Sequence, residues 1–143
     1  MSRIAYVNGS YVAHSEAEIH VEDRGYQFAD GVYEVAAVCR GRIIDEDGHL
    51  VRLKRSLSEL QITMPMADGP FALVCREILR QNRVQDGLLY IQVTRGVARR
   101  DHPFPEVYLT RFHNRFLQSG FGQELNQKFF LFLYLLIQVL NLL

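Results

Sequence analysis

Residues 32–60 read VYEVAAVCRGRIIDEDGHLVRLKRSLSEL, and the hydrophobic period changes once inside them. Val32 to Val38 is β-branched and apolar, Arg40-Gly41 turns the chain, and Arg42 to Ile44 starts back, so the stretch opens as a hairpin. From His49 the period is helical. Leu50, Leu53, Leu57 and Leu60 are spaced three, four and three apart, which puts them on one face, with Arg52, Lys54, Arg55 and Glu59 mainly on the other. A strand pair feeding directly into an amphipathic helix is the signature of an α+β domain.

The flanking sequence extends the same plan. Upstream, Asn8-Gly9 separates Arg3–Val7 from Ser10–Val12, and a type I′ turn needs the positive φ that this dipeptide accepts. Downstream, Asp68 as a possible cap and Pro70 near the first turn introduce a second helix, with Phe71, Val74, Ile78 and Leu79 as its stripe. Asp86-Gly87 ends it. Leu88 to Thr94 (LLYIQVT) then alternates as a strand, with Leu89, Ile91 and Val93 on one face and Leu88, Tyr90, Gln92 and Thr94 on the other. The expectation is a largely antiparallel sheet with two helices packed on one face.

Composition narrows the function. The chain has 143 residues, enough for one domain of ordinary size, and sixteen basic residues balance sixteen acidic ones. No global field is available to hold a polyanion, so nucleic acid is not an expected partner. Cys39 and Cys75 lie in apolar surroundings without CxxC spacing, and no signal-peptide core precedes them. They read as reduced thiols of a cytoplasmic protein. The five histidines are dispersed and form no zinc-type cluster; nucleotide-loop and serine-hydrolase motifs are absent.

Past Glu106 the composition shifts. Tyr108 to Lys128 has no clear period, and Phe129 to Leu143 (FFLFLYLLIQVLNLL) is almost wholly apolar. A helix over that last stretch would span roughly 22 Å, short of a hydrocarbon core of roughly 30 Å. A membrane anchor is therefore not the expected role. A core segment of a larger protein and a truncated or altered reading frame both remain open. The expected division is a domain over 1–106 and a divergent tail over 107–143.

Three segments carry candidate chemistry. In Glu22 to Val35 (EDRGYQFADGVYEV), Tyr33 sits just inside a strand near a loop mouth, where its phenol would reach a ligand carboxylate or phosphate or stand as a core tyrosine. In His49 to Leu53 (HLVRL), Arg52 at a helix start would suit a phosphate, or be a solvated surface arginine. In Thr94 to Phe104 (TRGVARRDHPF), Arg100 and His102 are two apart and point the same way if the backbone is extended, as Pro103 favours at His102. A forked cation beside an imidazole traps a carboxylate; the alternative is a solvated basic loop.

These segments, EDRGYQFADGVYEV, GHLVRL and QVTRGVARRDHPFP, resemble in order and spacing the D-amino acid (D-alanine) aminotransferases, over roughly the first 106 residues. The resemblance implies the small N-terminal domain of a fold type IV pyridoxal-phosphate enzyme, a homodimer converting a D-amino acid and a 2-oxo acid. It implies that Arg52 binds the phosphate of pyridoxal 5'-phosphate, that Tyr33 contacts substrate, and that Arg100 and His102 form a carboxylate trap for the partner subunit. Aminodeoxychorismate lyases and branched-chain aminotransferases share the fold and compete for the assignment, as does a non-catalytic partner-binding domain.

The family's chemistry needs a lysine that forms a Schiff base with the cofactor. The sequence has two, Lys54 and Lys128. Lys54 is two positions from Arg52 on a helix, so it points well away from that face, and Lys128 falls where the resemblance has ended. No catalytic residue is assigned, and the chain is expected to be a truncated enzyme, inactive by itself.

Overall fold

The structure, a computed structural model, describes residues 3–106 and 109–117. Strands β1 (Ile4–Val7) and β2 (Ser10–Ala13) form the first hairpin, with Asn8 at φ 48° and Gly9 at φ 102° in its turn. A 3-10 turn at His14–Glu16 and the short helix α1 (Arg24–Phe28) follow. Strand β3 (Gly31–Cys39) pairs with β4 (Arg42–Ile43), then come helices α2 (Glu46–Glu59) and α3 (Asp68–Gln81), and strands β5 (Gly87–Thr94) and β6 (Arg111–Leu117). The six strands form one sheet in the order β2-β1-β6-β5-β3-β4, every pairing antiparallel. The expected α+β class and the helices on one face are both found.

The two-residue period of the strands sorts the side chains. Ala36 and Val38 of β3, Leu89, Ile91 and Val93 of β5, Tyr6 of β1 and Phe112 of β6 face the helices and form one core with Leu53 and Leu57 of α2 and Phe71, Cys75, Ile78 and Leu79 of α3. Leu50 and Val74 pack partly against it, whereas Leu60 lies one residue past α2 and is exposed. The opposite face carries Tyr33, which is 66% exposed, and half-buried Tyr90 and Gln92. One face is the core, and the other runs from exposed Tyr33 to buried Thr94 and His113.

Three details depart from the sequence reading. Helix α2 begins at Glu46 rather than at His49, so Arg52 is in its second turn and not beside the free N–H groups of its start. Asp45 precedes it in the left-handed region at φ 51°, and its carboxylate fills the space that a Cβ at Gly48 would take. Helix α3 takes Ala67 as its cap, and the Asp68 carboxylate accepts from Lys54 at 2.6 Å. The sheet also continues past residue 106: β6 pairs with both β1 and β5 and is the strand that joins the two hairpins. Its pattern hid it, because Phe112, His113 and Asn114 are buried consecutively, so no apolar–polar alternation appears. Lys128 and the apolar stretch 129–143 lie outside the described residues. Among the described ones, no helix is long and apolar enough to cross a membrane.

Candidate active site

Charge buried between two loops fixes the local architecture. Asp30 accepts from Arg24 Nε at 2.8 Å and from Arg95 Nε at 2.8 and 3.0 Å, with all three side chains at least nine-tenths buried. Burial pushes the Asp30 carboxyl up, but the hydrogen bonds from Arg95 and Arg24 outweigh it and hold the group below its ordinary value of 3.8. Asp23 caps α1 through the Gly25 N–H and accepts from Thr94 Oγ1 at 3.0 Å. The remaining Arg95 donors reach the carbonyls of Gln61 and Leu60, and Arg24 N–H donates to Gly96 O. The segment before β3 and the segment after β5 are thereby locked together. Sequence reading missed this function of Asp23, Arg24, Asp30 and Arg95, although unpaired charge cannot be buried, and two acids and two arginines flanking glycines gave a signal.

That lock places the loop after β5. Arg100 lies with its guanidinium carbon 5.7 Å from the centre of the Phe28 ring, and the His102 ring is 6.0 Å from the same ring. Both exposed side chains thus converge on one aromatic surface at the end of α1. The His102 N–H is taken by Asp101 Oδ1 at 2.9 Å, and Arg24 Nη1 donates to Asp101 O, which holds the backbone between the two. The structure brings Arg100 and His102 together.

Tyr33 is elsewhere. It projects from the face opposite the core and stacks on Tyr90 at 5.9 Å, with the planes 10° apart. No hydrogen bond or ring contact joins it to Arg100 or His102 among the described residues.

Arg52 occupies the other side of the sheet. The alternation that turns Tyr33 outward turns Glu34 toward the helices, where its carboxylate receives Arg52 Nε and Nη2, both at 2.7 Å, and meets His49 Nδ1 at 2.9 Å. Glu34 is 5% exposed. Its burial raises the carboxyl pKa, but the bonds from Arg52 and His49 more than offset this and hold it below 4.5. Arg52 remains 43% exposed, and its Nη1 finds no hydrogen-bond partner among the described residues. The signal in the sequence was a single acid inside VYEVAAV, which requires a cationic partner once its face is covered.

Among the described residues, the edge between these faces is covered only in part. Strand β4 pairs only with Val38 and Cys39, and Ile44 N–H donates to Ala37 O. By strand period the main-chain groups of Tyr33 and Val35 aim at the same edge, beyond the reach of β4. Glu34 with its partner Arg52 lies on one side of β3 and Tyr33 on the other.

The sequence profile of amino-transferase class IV matches residues 31–123. The chain belongs to the class IV aminotransferase family. A D-alanine aminotransferase of Staphylococcus haemolyticus is 41% identical over 100 residues, which are 70% of this chain and 36% of the relative. The chain therefore spans about a third of the length of that class IV relative. Among solved structures, the 4-amino-4-deoxychorismate lyase of Pseudomonas aeruginosa aligns with a TM-score of 0.65 at 27% identity, over 83% of this chain and 42% of that one. A branched-chain amino acid aminotransferase of T.th., complexed with N-(5'-phosphopyridoxyl)-L-glutamate, aligns with a TM-score of 0.73 at 18% identity over 83% and 41%. At that identity the likeness is one of fold.

The residues match one end of a phosphopyridoxyl group better than the other. Arg52 offers a free donor edge to a phosphate. An aldehyde needs an amine, and Lys54, the lysine among the described residues, is bound to Asp68 and is not part of the Glu34–Arg52 cluster.

Proposed function

We propose that this chain supplies the N-terminal half-site of a pyridoxal-phosphate-dependent D-amino acid transaminase, acting on a D-amino acid and a 2-oxo acid such as D-alanine and 2-oxoglutarate. The observation that carries the reading is the convergence of Arg100 and His102 on Phe28, in a chain 41% identical to a D-alanine aminotransferase where the two overlap. A guanidinium offers two parallel N–H groups to a carboxylate, and an imidazole beside it adds a third donor. That constellation is expected to serve the site of a second subunit in a homodimer, while Tyr33 serves the site of its own chain.

When bound, pyridoxal phosphate provides an electron sink for the substrate α-carbon. Arg52 Nη1 holds the phosphate, the Tyr33 hydroxyl orients the substrate, and Arg100 with His102 selects for an α-carboxylate. The proton-shuttling amine is assigned to no described residue, so the expected behaviour of the chain alone is binding without turnover. Free Cys39 and Cys75 suit a reducing cytoplasm. The lyase likeness at 27% identity supports a second reading, in which the same half-site accepts an aminodeoxychorismate-like substrate and Arg100 and His102 are solvated.

The test is titration of the purified chain with pyridoxal phosphate and with pyridoxal, followed by borohydride reduction and intact mass. Saturable binding that prefers the phosphate ester, without a reduced adduct, is expected. An adduct on Lys54 or Lys128 with D-alanine-dependent loss of the cofactor absorbance band would refute the non-catalytic part. Equal affinity for both aldehydes would refute the role of Arg52.

A further inference from the structure

We infer that Glu34 is a positioning residue, which clamps Arg52 so that its Nη1 edge faces outward to receive a phosphate monoester, with His49 fixing the clamp. This rests on the reading of Arg52 as the phosphate ligand. Arg52 presents Nε and Nη2 to the two Glu34 oxygens in a parallel fork, both at 2.7 Å. A bidentate fork sets the plane of the guanidinium as well as its position. With Nε and Nη2 turned inward, the edge left to solvent is Nη1.

His49 decides which way Glu34 is held. Its Nδ1 lies 2.9 Å from Glu34 Oε2 and 3.2 Å from Arg52 Nη2, and one nitrogen cannot serve both. A bare Nδ1 would set a lone pair against a carboxylate oxygen, so the proton is on Nδ1 and is donated to Glu34. Both Glu34 oxygens are then occupied and the carboxylate cannot rotate. All three residues come from two elements, β3 and α2, which pack directly against each other.

The charge count makes the inference testable by sign. Glu34 and Arg52 together are neutral, so the clamp brings a phosphate an aligned donor edge rather than net charge. Glu34→Gln removes a negative charge from the site and leaves Arg52 unbalanced. If charge alone mattered, a phosphate would bind more tightly. If alignment matters, it binds more weakly, because the new amide NH2 faces donors from Arg52 or His49 and breaks the fork.

The experiment measures affinities of the full chain for pyridoxal phosphate, pyridoxal and inorganic phosphate, in the wild type, Glu34→Gln and Arg52→Lys. Urea denaturation confirms that each variant is folded. The expected result is a loss of about tenfold for both phosphate ligands in Glu34→Gln and little change for pyridoxal. In parallel, the Arg52 Nε–H resonance should be protected from solvent exchange in the wild type and unprotected in Glu34→Gln. Unchanged or tighter phosphate binding in Glu34→Gln, with Arg52→Lys still weakened, overturns the clamp and leaves Arg52 as a ligand. Unchanged binding in Arg52→Lys as well overturns the phosphate reading and the clamp with it. Equal losses for pyridoxal and its phosphate would mark Glu34 as merely structural and also overturn the inference.

Discussion

Asp30→Asn tests whether buried charge, rather than apolar packing, locks the two loops that flank β3 and β5. The side chains of Asp30, Arg24 and Arg95 are 7%, 4% and 5% exposed, and the carboxylate is the common acceptor of both guanidinium groups. The cluster carries a formal charge of one net positive, from two arginines and one aspartate. Asparagine leaves both cations buried without their counter-ion and places an NH2 against N–H donors. Removing one partner of a buried ion pair costs about 3–5 kcal/mol. The Phe104 ring 4.6 Å from Arg95 and the Phe28 ring 4.9 Å from Arg24 offset a fraction of this, so a loss near ~3 kcal/mol is expected. Urea denaturation followed by circular dichroism at neutral pH measures it, with Arg80→Ala as the control. Arg80 pairs with Glu77 on the surface, and its removal should leave the urea midpoint essentially unmoved. A loss below about 1 kcal/mol in Asp30→Asn would refute the argument, because the arginines would then be satisfied by Gln61, Leu60 and Asp101 carbonyls alone.

Other perturbations have equally definite outcomes. Leu57→Ala empties a site that is 2% exposed between α2 and the sheet, and a loss of about 2–5 kcal/mol in the same urea assay is expected. Gly31→Ala would place a Cβ 2.7 Å from the Val93 carbonyl, so β3 and β5 must part at that end; about 1–3 kcal/mol should be lost, and full stability would show the strand ends are looser than described. Burial pushes the Cys75 thiol up to about 12, so at pH 8 a disulfide reagent should titrate one thiol, half-buried Cys39, until denaturant is added. The Glu34 carboxyl is held below its ordinary 4.5, so its stabilisation is complete above about pH 4.5 and is lost as the pH falls through the depressed value. Acid denaturation of Glu34→Gln should lack that increment, and a curve parallel to wild type would contradict it.

The hairpins, both long helices and β5 were legible because each buries one face and exposes the other, so period and partner surface agree. Strand β6 was not, since His113 and Asn114 are both buried within a strand that has neighbours on each side. Burial lowers the His113 pKa, an effect that nearby Asp23 opposes and Arg111 reinforces; nothing in the local sequence reports that setting. Candidate residues followed the same division. Arg100 and His102 could be paired from their spacing, because the segment is short and both side chains meet one ring. Arg52 could be singled out but not correctly placed: the start of α2 depends on Asp45 adopting a left-handed conformation, and the anchor of Arg52 depends on Glu34, eighteen residues away.

That separation follows from the strand itself. Adjacent residues of one strand, Tyr33 and Glu34, must point to opposite faces. Turning the Tyr33 phenol to one face therefore turns Glu34, the anchor of Arg52, to the other. The two can serve a common ligand only across a strand edge, and β4 is so short that, among the described residues, no strand pairs with the edge of β3 beside Tyr33 and Val35. A longer β4 would satisfy those main-chain groups and close the passage between faces. In the register of β4, residues 46 and 48 would stand opposite Val35 and Tyr33, and both already belong to the first turn of α2, so it is the early start of that helix that keeps β4 from reaching them.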